Sequence, residues 1–289
     1  MDLSIVILNY KQKGLLKQCL KGIILAQPQL DYEIIVVDNK SDDGSLEMVK
    51  EIFLAKKDDN QPQLKLPITK PLAVPPIQTI QADVNNGFAA GNNLGIAKAL
   101  GKYVMILNPD VAIVSGVLEK MVDFMQNNSD VGMIGPRLIN PDGSTQYSCR
   151  RFPGSLVPVY RRTIFGKLPF AKKIIDSYLM LDFDHENNRL VDWLFGACLV
   201  IRKSALDKVG SFDEKFFMYF EDLDLCRRFW QQNFKVLYFA GAEMVHYHQQ
   251  WSTEKGGIFG VLRRGGRVHV ASGIKYFIKY FGTKIPVKN

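Results

Sequence analysis

The chain has 289 residues, 47% of them hydrophobic, so it can bury a full core as one large domain or as one domain with an extension. No apolar run reaches about 18 residues, which argues against a membrane-spanning helix, and an apolar strand from Leu3 onward predicts that there is no signal peptide. The formal net charge of +8 leaves three anionic partners open: nucleic acid, an anionic membrane surface and a phosphate-bearing substrate.

Strands and helices are expected to alternate in the first half of the chain. Strands are predicted at residues 3–8, 33–37, 77–80 and 103–107. The first is a continuous apolar run, as in sheets that are covered on both faces. The predicted helices are residues 13–25, 45–55 and 88–100, and a proline-rich loop is expected over 58–76. This order predicts an α/β fold with a right-handed, mostly parallel twisted sheet and helices on both faces.

The second half of the chain is less regular and shows no internal repeat. Strands are predicted at residues 131–134, 197–201 and 235–239, and helices at 203–209 and 222–231. Residues 136–143 are expected to form a loop and turn, and residues 150–190 are basic, aromatic and weakly patterned. The four dispersed cysteines lack a C-x-x-C pair, which favours reduced thiols in a cytosolic protein.

Short polar side chains follow each of the first four predicted strands. They are Asn9, then Asp38-Asn39, then Asn85-Asn86-Gly87, and finally Asn108-Pro109-Asp110. Each could be only a cap or turn residue, which is the usual role of Asn and Asp. Ligands of open α/β sheets bind outside the carboxyl ends of the strands, so this recurrence favours a ligand site there.

The segment 216–228, FFMYFEDLDLCRR, places three carboxylates in four positions. Adjacent acids repel each other unless they meet a metal, a cation or a transferable proton. The simpler interpretation is a solvated helix start that pairs with Arg227 and Arg228.

Several segments, in order along the chain, together resemble the family 2 glycosyltransferases of the GT-A fold, especially their bacterial rhamnosyltransferase-like branch. The segments are SIVILNY (4–10), VVDNKSDDGS (36–45), NGFAAGNNLG (86–95), LNPD (107–110), GPRL (135–138), GAC (196–198) and FDE (212–214), which runs into the acidic segment. There is no P-loop motif and no Rossmann G-x-G-x-x-G turn to compete with this interpretation.

The resemblance implies a nucleotide-sugar donor site. Asp38 resembles the carboxylate that contacts the base and ribose, and Asp43 would order the turn after it. The residues that it implies for donor binding are Asn9, Asp38, Asn39, Asp43, Asn86, Gly87, Asn92 and Asn108. Asp110 would ligate Mg²⁺ or Mn²⁺, although Asn108 replaces the first acid of the D-x-D signature. His246, or His248 beside it, would complete the metal site.

The resemblance also implies the chemistry. Asp222 would be the catalytic base of a single displacement with inversion, although the assignment could fall on Glu221 instead. Asp192, Trp193 and Gly196 are candidates for the acceptor or sugar pocket, and Trp193 could equally be a core aromatic.

We expect a catalytic domain over residues 1–250 and a basic amphipathic extension over 251–289. The extension could lie on an anionic membrane or dock on the catalytic domain as a helix with solvated charges. The implied acceptor is a glycan or a polyprenyl-linked sugar, and the implied location is cytoplasmic, peripheral at the inner face of the cell membrane. No nucleic acid is expected as a partner, because it would leave the acidic turns unexplained.

The branch suggests dTDP-L-rhamnose as the donor, for the synthesis of a cell-surface polysaccharide. UDP-galactofuranose or a UDP-hexose remain alternatives, as does a catalytically degenerate glycosyltransferase-like subunit. A sugar-nucleotide nucleotidyltransferase would need a glycine-rich, Arg-bearing loop after the first strand, which residues 9–14 do not supply.

Overall fold

The structure is a computed structural model that describes residues 1–54, 74–247 and 264–286. The predicted proline-rich loop therefore lies outside the described residues, apart from its last three positions. The strands are β1 Leu3–Asn9, β2 Tyr32–Asp38, β3 Ile77–Gln81, β4 Tyr103–Leu107, β5 Val111–Ala112, β6 Val131–Ile139, β7 Thr145–Gln146, β8 Cys149–Arg150, β9 Arg189–Leu190, β10 Trp193–Leu194, β11 Cys198–Arg202 and β12 Lys235–His246. The helices are α1 Lys13–Ala26, α2 Ser45–Val49, α3 Gly87–Ile96, α4 Val117–Asn127, α5 Val157–Arg162, α6 Pro169–Leu179, α7 Lys203–Val209, α8 Glu221–Gln231 and α9 Arg264–Lys279.

The main sheet has the strand order β3-β2-β1-β4-β11-β6-β12-β5, with β7 beside β6 and β9 beside β12. The strands β3, β2, β1 and β4 are all parallel, as the alternation of the first half predicts. The second half is mixed, because β11 runs antiparallel to both of its neighbours while β12 is parallel to β6. The carboxyl ends of the parallel strands therefore meet at one edge of the sheet.

The sheet is covered on both faces, which explains the uninterrupted apolar runs of its strands. Alternate side chains of β1 point to opposite faces: Leu3, Ile5 and Ile7 belong to one buried cluster with α1 and α4. Val6 belongs to the other cluster, with residues of α7 and α8. Two glycines of α3 bring that helix close to β1, since a Cβ on Gly95 would overlap Val6 and a Cβ on Gly91 would lie 2.5 Å from Leu8 Cδ1.

Helix α3 ends at Ile96, several residues before the predicted end at residue 100. The amide of Leu100 donates to Ser4 Oγ at 3.1 Å and to Glu33 Oε1 at 2.9 Å, and the amide of Gly101 donates to Ser4 Oγ at 2.8 Å. These hydrogen bonds to buried side chains bind the amides of Leu100 and Gly101, which would otherwise bond within the helix. Similarly, α2 ends at Val49 and is followed by a π-helical turn at Lys50–Leu54, so the predicted single helix over 45–55 is divided.

The prediction of a loop beginning at residue 136 is wrong, because β6 continues to Ile139. Pro136 is tolerated there because the register between β6 and β12 shifts between Phe239 and Glu243, beside the proline. Strand β12 resumes after this irregularity and reaches His246, beyond the predicted end at residue 239.

Helix α9 packs on the rest of the chain. Tyr276 and Ser272 are buried, and Ser272 Oγ donates to the carbonyl oxygen of Met218 at 2.8 Å. The predicted domain boundary at residue 250 lies outside the described residues and stays a prediction. All four cysteines are buried and free, as expected for reduced thiols. Within residues 1–54, 74–247 and 264–286, no helix combines the length and hydropathy needed to cross a bilayer.

Candidate active site

The donor side of the site is a network of hydrogen bonds at the ends of β1 and β2. Parallel pairing places Asn9 opposite Asp38, and Asn9 Nδ2 donates to Asp38 Oδ1 at 2.8 Å. The other carboxylate oxygen, Asp38 Oδ2, accepts the Ser41 amide and Gln81 Nε2, each at 2.9 Å. Asp38 is only 3% exposed, so its carboxylate is already fixed in position before any ligand arrives.

A cavity of about 260 Å³ opens beside this network and is lined by Asp38, Asp43 and Gln81, together with the turn between β2 and α2. Asp43 Oδ1 accepts the amide and the hydroxyl of Ser45, so Asp43 orders the end of the turn that leads into α2. Polar groups dominate the cavity, so it suits a polar ligand better than an apolar one.

Gly87 connects the donor side to the acidic segment. Its φ of 92° is in the left-handed region, and a Cβ there would overlap the backbone of Phe217. The next amide, that of Phe88, donates to the Phe217 carbonyl oxygen at 2.7 Å. Asn39 Nδ2 donates to Gly87 O at 3.0 Å and to Asn85 Oδ1 at 2.9 Å, so Asn39 holds the turn.

Two other predicted donor residues, Asn86 and Asn92, differ in how much of the side chain is exposed. Asn86 is exposed at the start of α3, whereas Asn92 is fully buried inside it. Asn92 Nδ2 donates to the Phe88 carbonyl oxygen, one turn earlier, at 2.9 Å. The described contacts of Asn92 are therefore internal to α3.

Asp110 and His246 are brought together by the antiparallel pairing of β5 with β12. His246 Nε2 lies 3.3 Å from Asp110 Oδ1, and both residues are buried. The other ring nitrogen, Nδ1, lies 2.7 Å from Gln146 Oε1, an oxygen that can only accept, so Nδ1–H donates to Gln146 and Nε2 faces the Asp110 carboxylate. His248 lies outside the described residues.

This pair fits a divalent cation in part. One oxygen ligand, from Asp110, and one nitrogen ligand, from His246, face each other. Gln146 orients the imidazole, as a neighbouring residue does in known metal sites. Within the described residues no group of three His, Cys, Asp or Glu side chains could hold a metal alone. Two backbone hydrogen bonds hold Asn108, which is two residues before Asp110. The Asn108 amide donates to Ala197 O at 2.9 Å, and the Asn108 carbonyl oxygen accepts Val111 N–H at 3.1 Å.

The carboxylate of Asp222 lies at the start of α8 and is held by two backbone amides. Asp222 Oδ2 accepts the Gly196 amide at 3.0 Å, and Oδ1 accepts the Leu223 amide at 2.8 Å. Partial burial raises the pKa of Asp222 to about 6, although these two amides and the charge of Arg150 oppose the shift. A carboxylate with this pKa is a suitable general base near neutral pH.

Glu221 is more deeply buried than Asp222. Burial, and then the neighbouring charge of Asp222, raise the pKa of Glu221 well above its ordinary value. Its Oε2 atom has no hydrogen-bond partner among the described residues. The two adjacent acids therefore have different environments. Only the Asp222 carboxylate is oriented by backbone amides from two segments, those of Gly196 and Leu223.

The turn before α8 is strained. Tyr219 and Phe220 have φ values of 68° and 70°, a left-handed conformation that costs roughly 1–2 kcal/mol for each residue other than glycine. Helix α9 supports this turn, since the Phe220 ring lies 5.2 Å from the His269 ring and 5.6 Å from the Tyr276 ring. Strain of this kind is concentrated at functional sites, where surrounding contacts maintain it.

Asp224, the third acid of the segment, points away from the site. It is fully buried and pairs with Arg228 at 2.8 Å and with Lys279 at 2.6 Å. The predicted pairing with Arg228 is therefore observed, whereas Arg227 instead donates to Tyr276 Oη and Thr283 Oγ1. Asp224 thus anchors α9 to α8.

The predicted acceptor pocket is brought together only in part. Gly196 contacts Asp222 through its amide, but Trp193 is buried, its ring is 5.2 Å from that of Phe195, and its Nε1 donates to Arg151 O at 3.0 Å. Asp192 Oδ2 accepts the Phe152 amide. These contacts agree with the core interpretation of Trp193.

Sequence reasoning missed Arg150 and Gln146. The Arg150 guanidinium lies 5.0 Å from the Phe195 ring centroid and acts electrostatically on Asp222. The only sequence indication of Arg150 was the basic composition of residues 150–190. No pattern pointed to Gln146, whose contact with His246 spans one hundred residues of sequence.

The family model described as glycosyl transferase family 2 matches residues 4–210, so the chain belongs to that family. Within it, the chain is similar to the N-acetylglucosaminyl-diphospho-decaprenol L-rhamnosyltransferase of Mycobacterium tuberculosis. The two are 27% identical over 263 residues, which cover 87% of this chain and 77% of the relative. The rhamnosyltransferase WbbL of Escherichia coli is 26% identical over 172 residues, 56% of this chain and 61% of WbbL. These matches confirm the predicted rhamnosyltransferase-like branch.

Solved structures confirm the GT-A fold. The mannosyltransferase PcManGT from Pyrobaculum calidifontis, in complex with GDP-Man and Mn²⁺, superposes with a TM-score of 0.56 at 14% identity, covering 98% of this chain and 66% of that one. S. aureus TarS 1–349 in complex with UDP gives 0.54 at 16% identity, covering 85% of this chain. The chain spans 60% of the length of that TarS structure.

Proposed function

We propose that the protein is an inverting, metal-dependent glycosyltransferase that uses dTDP-L-rhamnose to build a cell-surface polysaccharide. The observation that carries this proposal is the position of Asp222, a backbone-held carboxylate with a pKa of about 6. Similarity to the mycobacterial rhamnosyltransferase supports the choice of sugar, and the name of that relative supports a polyprenyl-linked or glycan acceptor. UDP-galactofuranose and UDP-hexoses remain the alternative donors.

In this proposal the donor half of the site binds the nucleotide. Asp38, fixed by Asn9 and Gln81, would accept hydrogen bonds from the base or ribose, and the turn at Gly87 would lie beneath the nucleotide. Asp110 and His246 would hold Mg²⁺ or Mn²⁺, which when bound neutralises charge on the departing diphosphate. PcManGT and GalNAc-T7 were solved with Mn²⁺, which supports a divalent ion.

The chemical step is a single displacement. The Asp222 carboxylate would take the proton of the acceptor hydroxyl while the hydroxyl oxygen forms a bond to the anomeric carbon. The bond from that carbon to the diphosphate oxygen breaks on the opposite face, which inverts the configuration. The Gly196 and Leu223 amides keep the Asp222 oxygens oriented, and Arg150 balances the negative charge of the base.

We propose that the enzyme works at the cytoplasmic face of the cell membrane, where a polyprenyl-linked acceptor would be available. The similarity to a decaprenol-dependent relative supports this location.

The test is thermal stabilisation by dTDP, UDP, GDP and their sugars, with and without Mn²⁺ or Mg²⁺. Ligand at about 100 times its Kd stabilises the folded state by about 2.7 kcal/mol, which for a chain of this size raises Tm by about 4–5 °C. We expect metal-dependent stabilisation by dTDP-rhamnose that is lost in Asp110→Ala and kept in Asp207→Ala, a surface acid paired with Lys203. No shift with any nucleotide would overturn the donor site and favour the degenerate subunit.

A further inference from the structure

Large apolar side chains are strongly exposed in two parts of the chain. One part is the segment from α5 to α6, where Ile164, Phe165 and Phe170 are 76%, 55% and 57% exposed. The other is the outer face of α9 and the residues that follow it, where Ile274, Ile278 and Phe281 are 55%, 71% and 89% exposed. Scattered exposed apolar residues are normal, but a group of them indicates an interaction surface.

The two parts approach each other at a residue just before α5. Ser155, just before α5, lines an open cavity of about 510 Å³ together with Ile274, Phe277, Ile278 and Phe281. Apart from Ser155, the lining residues are apolar. We call this combined region, α5 to α6 plus the outer face of α9 through Phe281, the apolar face.

The apolar face belongs to the most basic parts of the sequence. Residues 150–180 and 255–289 together contain fifteen Lys and Arg and one acid, Asp176. The rest of the chain has 22 basic and 28 acidic residues, so it is net acidic. Lys167, Lys172 and Lys173 are exposed in the α5–α6 segment, and Lys275 and Lys284 are exposed in or just after α9.

This combination of positive charge and exposed apolar side chains favours one of three kinds of partner. A second copy of the chain would bring two strongly basic surfaces together, which is unfavourable. A nucleic acid would pair with the lysines but leave Phe281 and Ile278 in water. An anionic bilayer satisfies both requirements, because its interface accepts apolar side chains below the level of the phosphates that attract lysine.

We propose that the apolar face docks on an anionic lipid bilayer, with Ile164, Phe165, Ile278 and Phe281 inserted at the boundary of headgroups and acyl chains. The inner side of α9 contacts the turn before Glu221, through Ser272 and Met218, so docking holds the catalytic helix beside the bilayer. This proposal deepens the proposed function: it names the surface on which a lipid-linked acceptor would be met, and only that consequence rests on the transferase assignment.

Co-sedimentation with vesicles tests the proposal without donor or acceptor. The vesicles contain phosphatidylcholine alone or phosphatidylcholine mixed with phosphatidylglycerol. We expect binding only to the mixed vesicles, weakened by salt, because lysine attraction falls with screening. The double variants Ile164→Ser/Phe165→Ser and Ile278→Ser/Phe281→Ser should each bind at least about tenfold more weakly.

Leu100→Ser is the matched control, because Leu100 is 72% exposed but lies outside the apolar face, beside the amino end of β4. It should bind vesicles like the wild type, and all variants should keep the wild-type Tm and nucleotide response. Failure of the wild type to bind mixed vesicles, or binding by both double variants as strong as that of the wild type, would overturn the docking proposal. A concentration-dependent dimer in light scattering that both double variants abolish, without vesicle binding, would instead assign the face to a second copy. Each of these failures leaves the nucleotide-dependent Tm shift, and hence the transferase proposal, unaffected.

Discussion

The proposed donor side and the proposed catalytic side of the site place their acidic side chains in different environments. On the donor side, both oxygens of Asp38 already accept hydrogen bonds from neighbouring side chains and backbone. On the catalytic side, Glu221 Oε2 has no hydrogen-bond partner within the described part of the chain, and the pKa of Asp222 is raised to about 6. The first arrangement suits binding, because the ligand meets groups already in position. The second suits proton transfer, because burial raises the pKa of the Asp222 carboxyl towards neutral and so makes its carboxylate a better base.

The largest expected effect comes from removing the base. Asp222→Asn keeps the size of the side chain but cannot take the acceptor proton, so kcat should fall by about 10²–10⁴-fold. Nucleotide-dependent Tm shifts should remain, because Asp222 lies outside the donor network. The measurement is initial rate of sugar transfer alongside thermal shift.

The pH profile provides the control. Since the base must be deprotonated, kcat/KM of the wild type should fall by about tenfold per pH unit below the pKa of about 6 and level off above it. Thermal shifts at the same pH values separate this loss from loss of metal or donor. If Asp222→Asn retains wild-type activity while Glu221→Gln is inactive, the base is Glu221 and the assignment is wrong by one residue.

A smaller effect is expected at the junction of the two sides. Gly87→Ala adds a methyl group that overlaps the Phe217 backbone and forces alanine into a left-handed conformation, so unfolding free energy should drop by about 2–5 kcal/mol. Gly143→Ala is the matched control: Gly143 has a φ of 82° but nothing within 4 Å of the added Cβ.

The free energy of unfolding of the Gly143→Ala variant should fall only by the cost of the left-handed backbone, about 1–2 kcal/mol. Urea unfolding of both variants measures the difference. Equal losses would mean that the contact between Gly87 and Phe217 does not constrain the site, and that the two sides are independent.

The smallest effect concerns stability and pH. The folded-state pKa of Glu221 is raised above its unfolded value, so its stabilising contribution is present below the unfolded pKa. That contribution is lost as pH rises towards the folded pKa. Glu221→Gln removes this loss, so its urea midpoint should decline less between pH 5 and pH 8 than that of the wild type. The exposed Glu51→Gln serves as control and should decline like the wild type.

Local patterns were sufficient to predict the parallel part of the fold. The apolar runs of β1, β2 and β4, and the polar residues that follow them, predicted a sheet edge at which Asn9 and Asp38 do lie side by side. The principle is that parallel strands bring their carboxyl ends together whatever their side chains. The pairing of Asp110 with His246 came from family resemblance and not from spacing.

What the sequence could not reveal are contacts that depend on distant parts of the chain. The left-handed conformation of Tyr219 and Phe220 contradicts the usual preference of aromatic residues, and contacts with the distant helix α9 support it. The extension of β6 past Pro136 depends on an irregularity in β12, which no local pattern of β6 encodes. Weak patterning of residues 150–180 has a similar cause, because α5 and α6 leave apolar side chains exposed.

The salt bridge between Asp224 and Lys279 has a consequence for the order of biosynthesis. Ribosomes add about 5–20 residues per second, so α8 is synthesised several seconds before Lys279 exists. During that interval Asp224 lacks one of its two cationic partners, and the turn at Tyr219 lacks the helix that supports it. The hydrogen bonds around Asp38, whose partners Asn9, Ser41 and Gln81 all lie within the first hundred residues, can form before the last helix has been synthesised.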